Sequence, residues 1–191
     1  MILEGLVTTQ NADGTTNVSP MGPRVAPAME RFTLRPFQSS TTYKNLKLHP
    51  FGVLHVTDDV ELLAAAAIGK LEQVPPLAPV AGLEVMRLAD TCRWYAFGVT
   101  QLDDAAERTT IECETLASGR VRDFFGFNRA KHAVVEGAIL ATRIGILPAE
   151  EIRREFERLA VIVEKTAGEA ERRAWQMLEE HTRSHLAPRD G

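Results

Sequence analysis

The chain has 191 residues, of which 45% are hydrophobic and 25% charged, and its formal net charge is -4. That composition suits a folded domain with an elaboration, large enough to bury a core without disulfides or metals. The acidic balance excludes a global positive field that would draw the chain to nucleic acid or anionic lipid, so an anionic ligand requires a local positive site.

The first half reads as strands. Ile2 to Thr9 is β-rich, and Asn11-Ala12-Asp13-Gly14 is a turn signal that sends the chain back through Thr15 to Pro20 as a hairpin. Pro20 cannot donate to a ladder, so its strand is an edge or is interrupted there. Arg31 to Phe37 alternates Phe32 and Leu34 with Arg31, Thr33 and Arg35, the period of a half-buried strand. Phe51 to Thr57 is a further strand. Asp58 or Asp59 can cap a helix over Val60 to Ile68, which Gly69 ends. Val74 to Gly82 carries Pro75, Pro76 and Pro79 and reads as a surface connection. Strands follow near Arg93 to Thr100 and Arg108 to Leu116. Widely separated strands of this kind favour an antiparallel barrel over a βαβ sheet.

The last third is helical. Asn128 can cap a helix over Arg129 to Ile144, stopped by Gly145. Pro148 opens a longer helix with Glu150 and Glu151 in its first turn. Its apolar stripe runs from Ile152 through Phe156, Leu159 and Val163 to Leu178 and His181. The expectation is an antiparallel helical hairpin over 127–191 packed on a barrel domain over 1–126.

Cys92 and Cys113 form no Cys-x-x-Cys motif, which argues against a zinc ribbon or a thioredoxin-like site. So few thiols point to a reducing compartment. No secretory leader is read at the N-terminus, and the longest apolar stretch, Leu62 to Ile68, is too short to span a bilayer. The expectation is a cytoplasmic protein with neither a membrane nor a nucleic-acid partner. His181 and His185 stand four apart but lack an evident third ligand, so no metal site is expected. His55 lies mid-strand and reads as a core histidine. No Gly-x-Ser-x-Gly, Walker or dinucleotide motif occurs.

Two segments combine groups suited to an anionic, planar ligand. Ser39, Ser40, Thr41 and Thr42 follow a strand, precede a helical turn, and are flanked by Arg35 and by Tyr43-Lys44-Asn45. Hydroxyls, a guanidinium, an ammonium and free helix-start amides are what a phosphate needs. By composition alone the segment reads more readily as a polar loop whose hydroxyls cap a helix. Asn17, Ser19, Pro20, Met21 and Gly22 form a strand whose exposed backbone could meet a flat ring, or an ordinary strand end.

These segments, together with Phe127 to Arg143, resemble the FMN-binding split-barrel superfamily. The resemblance is to the branch known from methanogenic archaea and from bacteria with methanopterin-linked one-carbon metabolism. It implies an α+β fold, an antiparallel split β-barrel of flavin-reductase type with a C-terminal helical hairpin, and a homodimer with FMN near the subunit interface. The phosphate is then expected on Ser39, Ser40, Thr42 and Lys44 with help from Arg35, and the ring against Asn17, Ser19, Pro20 and Met21. Ser40 departs from the family's more frequent threonine but keeps the hydroxyl. Tyr43 is expected to cover the ring or anchor the loop, and Asn45 to reach phosphate or ribityl oxygens. Asn128, Arg129 and His132, in the first turn of the later helix, are candidate contacts, because cations there oppose the helix dipole and point to an anion nearby. A solvated charged turn explains them equally. The function expected is a flavin-dependent oxidoreductase linked to tetrahydromethanopterin metabolism, with a non-catalytic flavin-binding or scaffold protein as the alternative.

Overall fold

The computed structural model describes residues 1–186; the last five residues of the segment 127–191 lie outside them. The described chain forms two compact units. One comprises Met1–Thr57 and Gln73–Phe124, the other Asp58–Glu72 and the described residues from Phe125 onward.

The first unit is an antiparallel barrel. Its strands are β1 (Gly5–Gln10), β2 (Thr16–Met21), β3 (Arg24–Val25), β4 (Arg31–Leu34), β5 (Phe51–Val56), β8 (Arg93–Asp103) and β9 (Thr110–Arg120). They form one sheet in the order β2-β1-β5-β8-β9-β4-β3. The sheet curls back on itself because residues leading into β1 also bond β3. Leu3 N–H donates to Pro23 O at 3.1 Å, and Val25 N–H to Met1 O at 2.8 Å. The β1–β2 turn is built as its sequence demands, with Gly14 at φ +85 and Asp13 Oδ1 accepting from Thr15 N–H at 3.0 Å. Among the described residues β2 pairs only with β1, and Pro20 stands opposite Leu6, so the proline sits on an edge.

Alternation along the strands fills the interior with Val7, Phe32, Leu34, Leu54, Phe97 and Ile111. Phe32 meets Phe97 edge to face with centroids 5.2 Å apart. A helix, α1 (Thr41–Leu48), adds Tyr43 and Leu46 to this core. The stretch read as a surface connection, Val74 to Gly82, carries the first strand of a two-stranded hairpin, β6 (Leu77–Pro79), which pairs with β7 (Met86–Leu88) just beyond it. The hairpin's Val80 and Val85 cover Val53 and Ala96 on the outer face of the sheet. Strands of three residues carry too little periodicity to stand out from a proline-rich surface connection.

The second unit is all-helical: α2 (Val60–Ala67), α3 (Arg129–Ala141), α4 (Ala149–Thr166) and α5 (Glu169–Leu186). Asp59 caps α2 by accepting from Leu62 N–H, as expected. The core joins Val60 and Leu63 of α2, Val134 of α3, Ile152 and Phe156 of α4, and Trp175 and Leu178 of α5. The small-residue face of α3 permits close approach: a Cβ on Gly137 would lie 2.7 Å from Trp175 Cζ3.

The expected helical hairpin contains a third helix. The long helix read from Pro148 through His181 breaks at Ala167, which is extended at φ -79 and ψ 140. The break is satisfied from both sides. Asn128 Nδ2 donates to Thr166 O at 3.1 Å, and Gly168 N–H donates to Glu171 Oε2 at 2.9 Å, capping α5. The apolar stripe keeps its spacing across the break, which is why periodicity did not reveal it.

Candidate functional site

α1 begins at Ser40, whose extended backbone and side chain make it the N-cap. Its hydroxyl accepts from Tyr43 N–H at 3.2 Å and donates to Phe37 O at 2.7 Å. Ser40 therefore shapes the helix start. Thr42 and Tyr43 are buried. The Tyr43 hydroxyl donates to Asp104 Oδ2 at 2.7 Å and accepts from Lys47 Nζ at 3.0 Å. Lys47 also bridges Asp104 at 2.8 Å. That hydrogen bond holds the Asp104 carboxyl below its ordinary range and raises Lys47 above its own. Tyr43 is thus an anchor for α1.

Ser39, Thr41 and Lys44 are exposed, and no described residue bonds their side chains. The first-turn amides of Thr41 and Thr42 have no intrahelical acceptor. Arg35 follows β4, five residues before the cap. Its carbonyl accepts from Arg108 Nε at 3.2 Å, while its own Nε is buried and has no partner among the described residues.

On β2, Asn17, Ser19, Pro20 and Met21 are half-buried along the sheet edge. Asn17 Nδ2 donates to Ser19 Oγ at 3.0 Å and to Thr9 Oγ1 at 3.2 Å. Asn45, buried on α1, donates to the same Thr9 oxygen at 3.0 Å and to Asn11 Oδ1 at 2.8 Å. The two segments singled out in sequence are therefore joined inside one unit, and Thr9 joins them. Sequence reasoning missed Thr9 because a threonine in a β-rich run is ordinary.

Asn128, Arg129 and His132 belong to the helical unit. Asn128 caps α3 by accepting from Lys131 N–H at 3.1 Å while its amide holds Thr166 O, so both ends of its side chain are engaged. Lys131 bonds Glu171 at 2.8 Å and Asp58 O at 2.7 Å. Arg129 is exposed and has no ion pair among the described residues. His132 stacks on Phe127, with centroids 6.0 Å apart.

Three further histidines, His55, His181 and His185, bear on chemistry in other ways. His55 is fully buried; its Nε2 accepts from Leu88 N–H at 3.0 Å and its Nδ1 lies 3.2 Å from Leu6 O. That pattern fixes the Nδ1–H tautomer of a neutral ring. Burial pushes its pKa down to about 4. His181 and His185 stack with centroids 4.1 Å apart. Among the described residues no group of three or more His, Cys, Asp or Glu side chains could hold a metal ion. No described helix is long and apolar enough to cross a membrane.

Two family models match the chain. One, the N-terminal domain of a protein of unknown function (DUF447), covers residues 3–122, and the other, DUF447, covers residues 128–180. The chain belongs to the DUF447 family. Among solved structures, this DUF447 chain is similar to an FMN-bound DUF447 protein from Methanosarcina mazei. The two share 22% identity over 94% of each chain, with a TM-score of 0.82. It is also similar to the 2-nitrobenzoate 2-nitroreductase of Pseudomonas fluorescens, at 16% identity, 62% of this chain and 64% of that one, and a TM-score of 0.52. The styrene monooxygenase flavin reductase of Pseudomonas putida S12 matches at 11% identity, 62% and 79% coverage, and a TM-score of 0.51. No curated protein matches the sequence. The DUF447 chain thus has the α+β, flavin-reductase-like split barrel with C-terminal helices.

Proposed function

We propose that this DUF447 protein binds FMN on its barrel unit, with the phosphate at the start of α1 and the ring against β2. The observation that carries the reading is Arg35. A buried guanidinium N–H without an acceptor costs about 1–3 kcal/mol, which a ligand oxygen would offset. Next to it in sequence lies a helix start whose capping is already done by Ser40. Ser39, Thr41, Lys44 and the first-turn amides are left over, the donor set that suits a phosphate dianion. Tyr43 and Asn45 serve this site by holding the helix, and Thr42 is buried on it. Asn17, Ser19, Pro20 and Met21 offer an edge backbone to a planar ring. The FMN-bound relative from Methanosarcina mazei supports the same choice of ligand.

FMN, when bound, supplies hydride and single-electron chemistry, so the protein needs to bind, orient and shield it. We therefore read the protein as a flavin-dependent oxidoreductase, cytoplasmic and homodimeric. The resemblance of its motifs to the methanopterin-associated branch makes one-carbon metabolism the setting in which to seek its substrate. On the helical unit, Arg129 and His132 are the groups proposed to meet an anion, while Asn128 acts as a cap.

Titration of the purified protein with FMN and with riboflavin tests the assignment. Arg35→Gln or the Ser39→Ala/Thr41→Ala pair should weaken FMN binding by more than about tenfold, because charge-assisted hydrogen bonds contribute about 1.5–3 kcal/mol each. Riboflavin affinity should stay unchanged. Equal losses for both flavins would remove the phosphate from α1, and no binding of either would end the FMN reading. Bound flavin that no donor reduces would move the protein to the non-catalytic class.

A further inference from the structure

Two amides from different elements converge on one buried hydroxyl in the barrel unit. Asn17 Nδ2 of β2 reaches Thr9 Oγ1 at 3.2 Å, and Asn45 Nδ2 of α1 reaches it at 3.0 Å. The second hydrogen of each amide is also used, at Ser19 Oγ and at Asn11 Oδ1. Thr9 lies opposite Asn17 across the β1–β2 ladder and is 3% exposed. Its neighbour Thr8 turns its hydroxyl elsewhere, to Met86 O at 2.7 Å. A hydroxyl oxygen accepts two hydrogen bonds, so the capacity of Thr9 is filled by these two amides.

We infer that Thr9 is a positioning residue for the bound mononucleotide, setting the spacing between the phosphate helix α1 and the ring-facing strand β2. This rests on the FMN reading above. The argument is one of economy in a low-dielectric interior. Valine would fill the same volume, but it would leave a buried N–H of Asn45 and a half-buried N–H of Asn17 unmet. Relief then requires α1 and β2 to shift relative to one another. The phosphate donors ride on α1, and the ring contacts ride on β2. A ligand that engages both elements feels that shift, and one that engages β2 alone does not. Thr9 thus favours a flavin carrying a phosphate at the right distance from the ring, and FMN gains over riboflavin because of it.

The test compares FMN and riboflavin affinities, by quenching of flavin fluorescence, in the wild type, Thr9→Val, Thr9→Ser and Val53→Ala. Val53 is fully buried in the outer-face cluster with Val80, Val85 and Ala96, and its ladder partner on β1 is Thr8, not Thr9. Thr9→Val should lower the ratio of FMN to riboflavin affinity by about tenfold or more, equivalent to one lost net hydrogen bond at the phosphate end. Thr9→Ser keeps the acceptor and should restore the ratio. Val53→Ala should lower the melting temperature and leave the ratio alone. Thr9→Cys keeps the volume with a weaker acceptor; it should give an intermediate ratio and stands in if the valine variant does not fold. A ratio unchanged by valine and by cysteine in folded protein overturns the inference, as does a Val53→Ala ratio shifted equally. A wild type that binds neither flavin instead overturns the FMN reading itself, and the inference falls with it.

Discussion

His55 should make the barrel unit acid-sensitive well above the range in which carboxylates titrate. Its pKa falls from the ordinary 6.5 to about 4, chiefly through burial, with Arg87 adding to the effect and the Leu6 carbonyl opposing it. The unfolded chain therefore takes up a proton near pH 6.5 that the folded chain refuses until about pH 4. Stability contributed by the neutral ring is complete above pH 6.5 and declines as pH falls through that window. The two values differ by about 2.5 units, and each unit is worth about 1.4 kcal/mol, so the full loss is about 3 kcal/mol. By pH 5 about 2 kcal/mol of it should be gone. Urea unfolding at pH 7.5 and pH 5 measures this. The chain has two tryptophans, Trp94 and Trp175. In a Trp175→Phe background, Trp94, which faces His55 across the β5–β8 ladder, reports the barrel alone. His55→Gln should cost about 1–3 kcal/mol at pH 7.5, through a hydrogen bond left unmade, and flatten the slope between the two pH values. If wild type and His55→Gln lose stability in parallel, or if the His55 ring titrates near its ordinary value by NMR, the burial argument is wrong.

Two further perturbations test the helical unit. Gly137→Ala should destabilise it although alanine is the better helix former by about 1 kcal/mol. The added Cβ meets Trp175 Cζ3 at 2.7 Å, and overpacking costs about 1–3 kcal/mol; a shift in Trp175 emission should accompany the loss, and a rise in melting temperature would refute the contact. At Glu171, burial pushes the carboxyl up, but hydrogen bonds from Lys131 and Gly168 outweigh it and hold the group below its usual range. Stability from this pair is therefore present above the ordinary carboxylate pKa and lost as pH falls below it. Lys131→Met should cost about 3–5 kcal/mol by stranding a buried carboxylate, and adding Glu171→Gln should recover part of it. Additive losses in thermal melts would show that the two groups do not interact.

The fold was legible where local chemistry left strong marks. Asn11 to Gly14, Asp59, Gly69 and Asn128 place turns, caps and ends that the structure keeps, whereas α3 ends at Ala141, before the expected stop at Gly145. Alternation at Phe32 and Leu34 correctly gave β4 its inner face. Sequence could not separate α4 from α5, because the cap that divides them is tertiary: Asn128 and Glu171 close the break from outside the periodic stripe. It also could not apportion the polar groups of Arg35 to Asn45. Residue type alone made Ser40, Tyr43 and Asn45 as good as Ser39, Thr41 and Lys44. Only the hydrogen bonds separate those that hold the helix from those with no side-chain partner among the described residues. Thr9 was hidden for the same reason, since its importance lies in which two amides meet it.

α2 lies between β5 and β6 in the chain, yet its apolar face is buried with α3 and α5. Glu61 pairs with Arg173 through two contacts of 2.8 Å, and these partners stand 112 positions apart. During synthesis the barrel strands therefore emerge while Val60, Leu63 and Ala64 still wait for helices not yet made. A nascent chain halted near residue 124 would hold a closed sheet interrupted by a sticky, unpartnered helix, a natural target for chaperones and for premature association. For the same reason the barrel cannot be isolated by trimming the C-terminus alone. Residues 58–72 must leave with it, and Thr57 must be joined to Gln73.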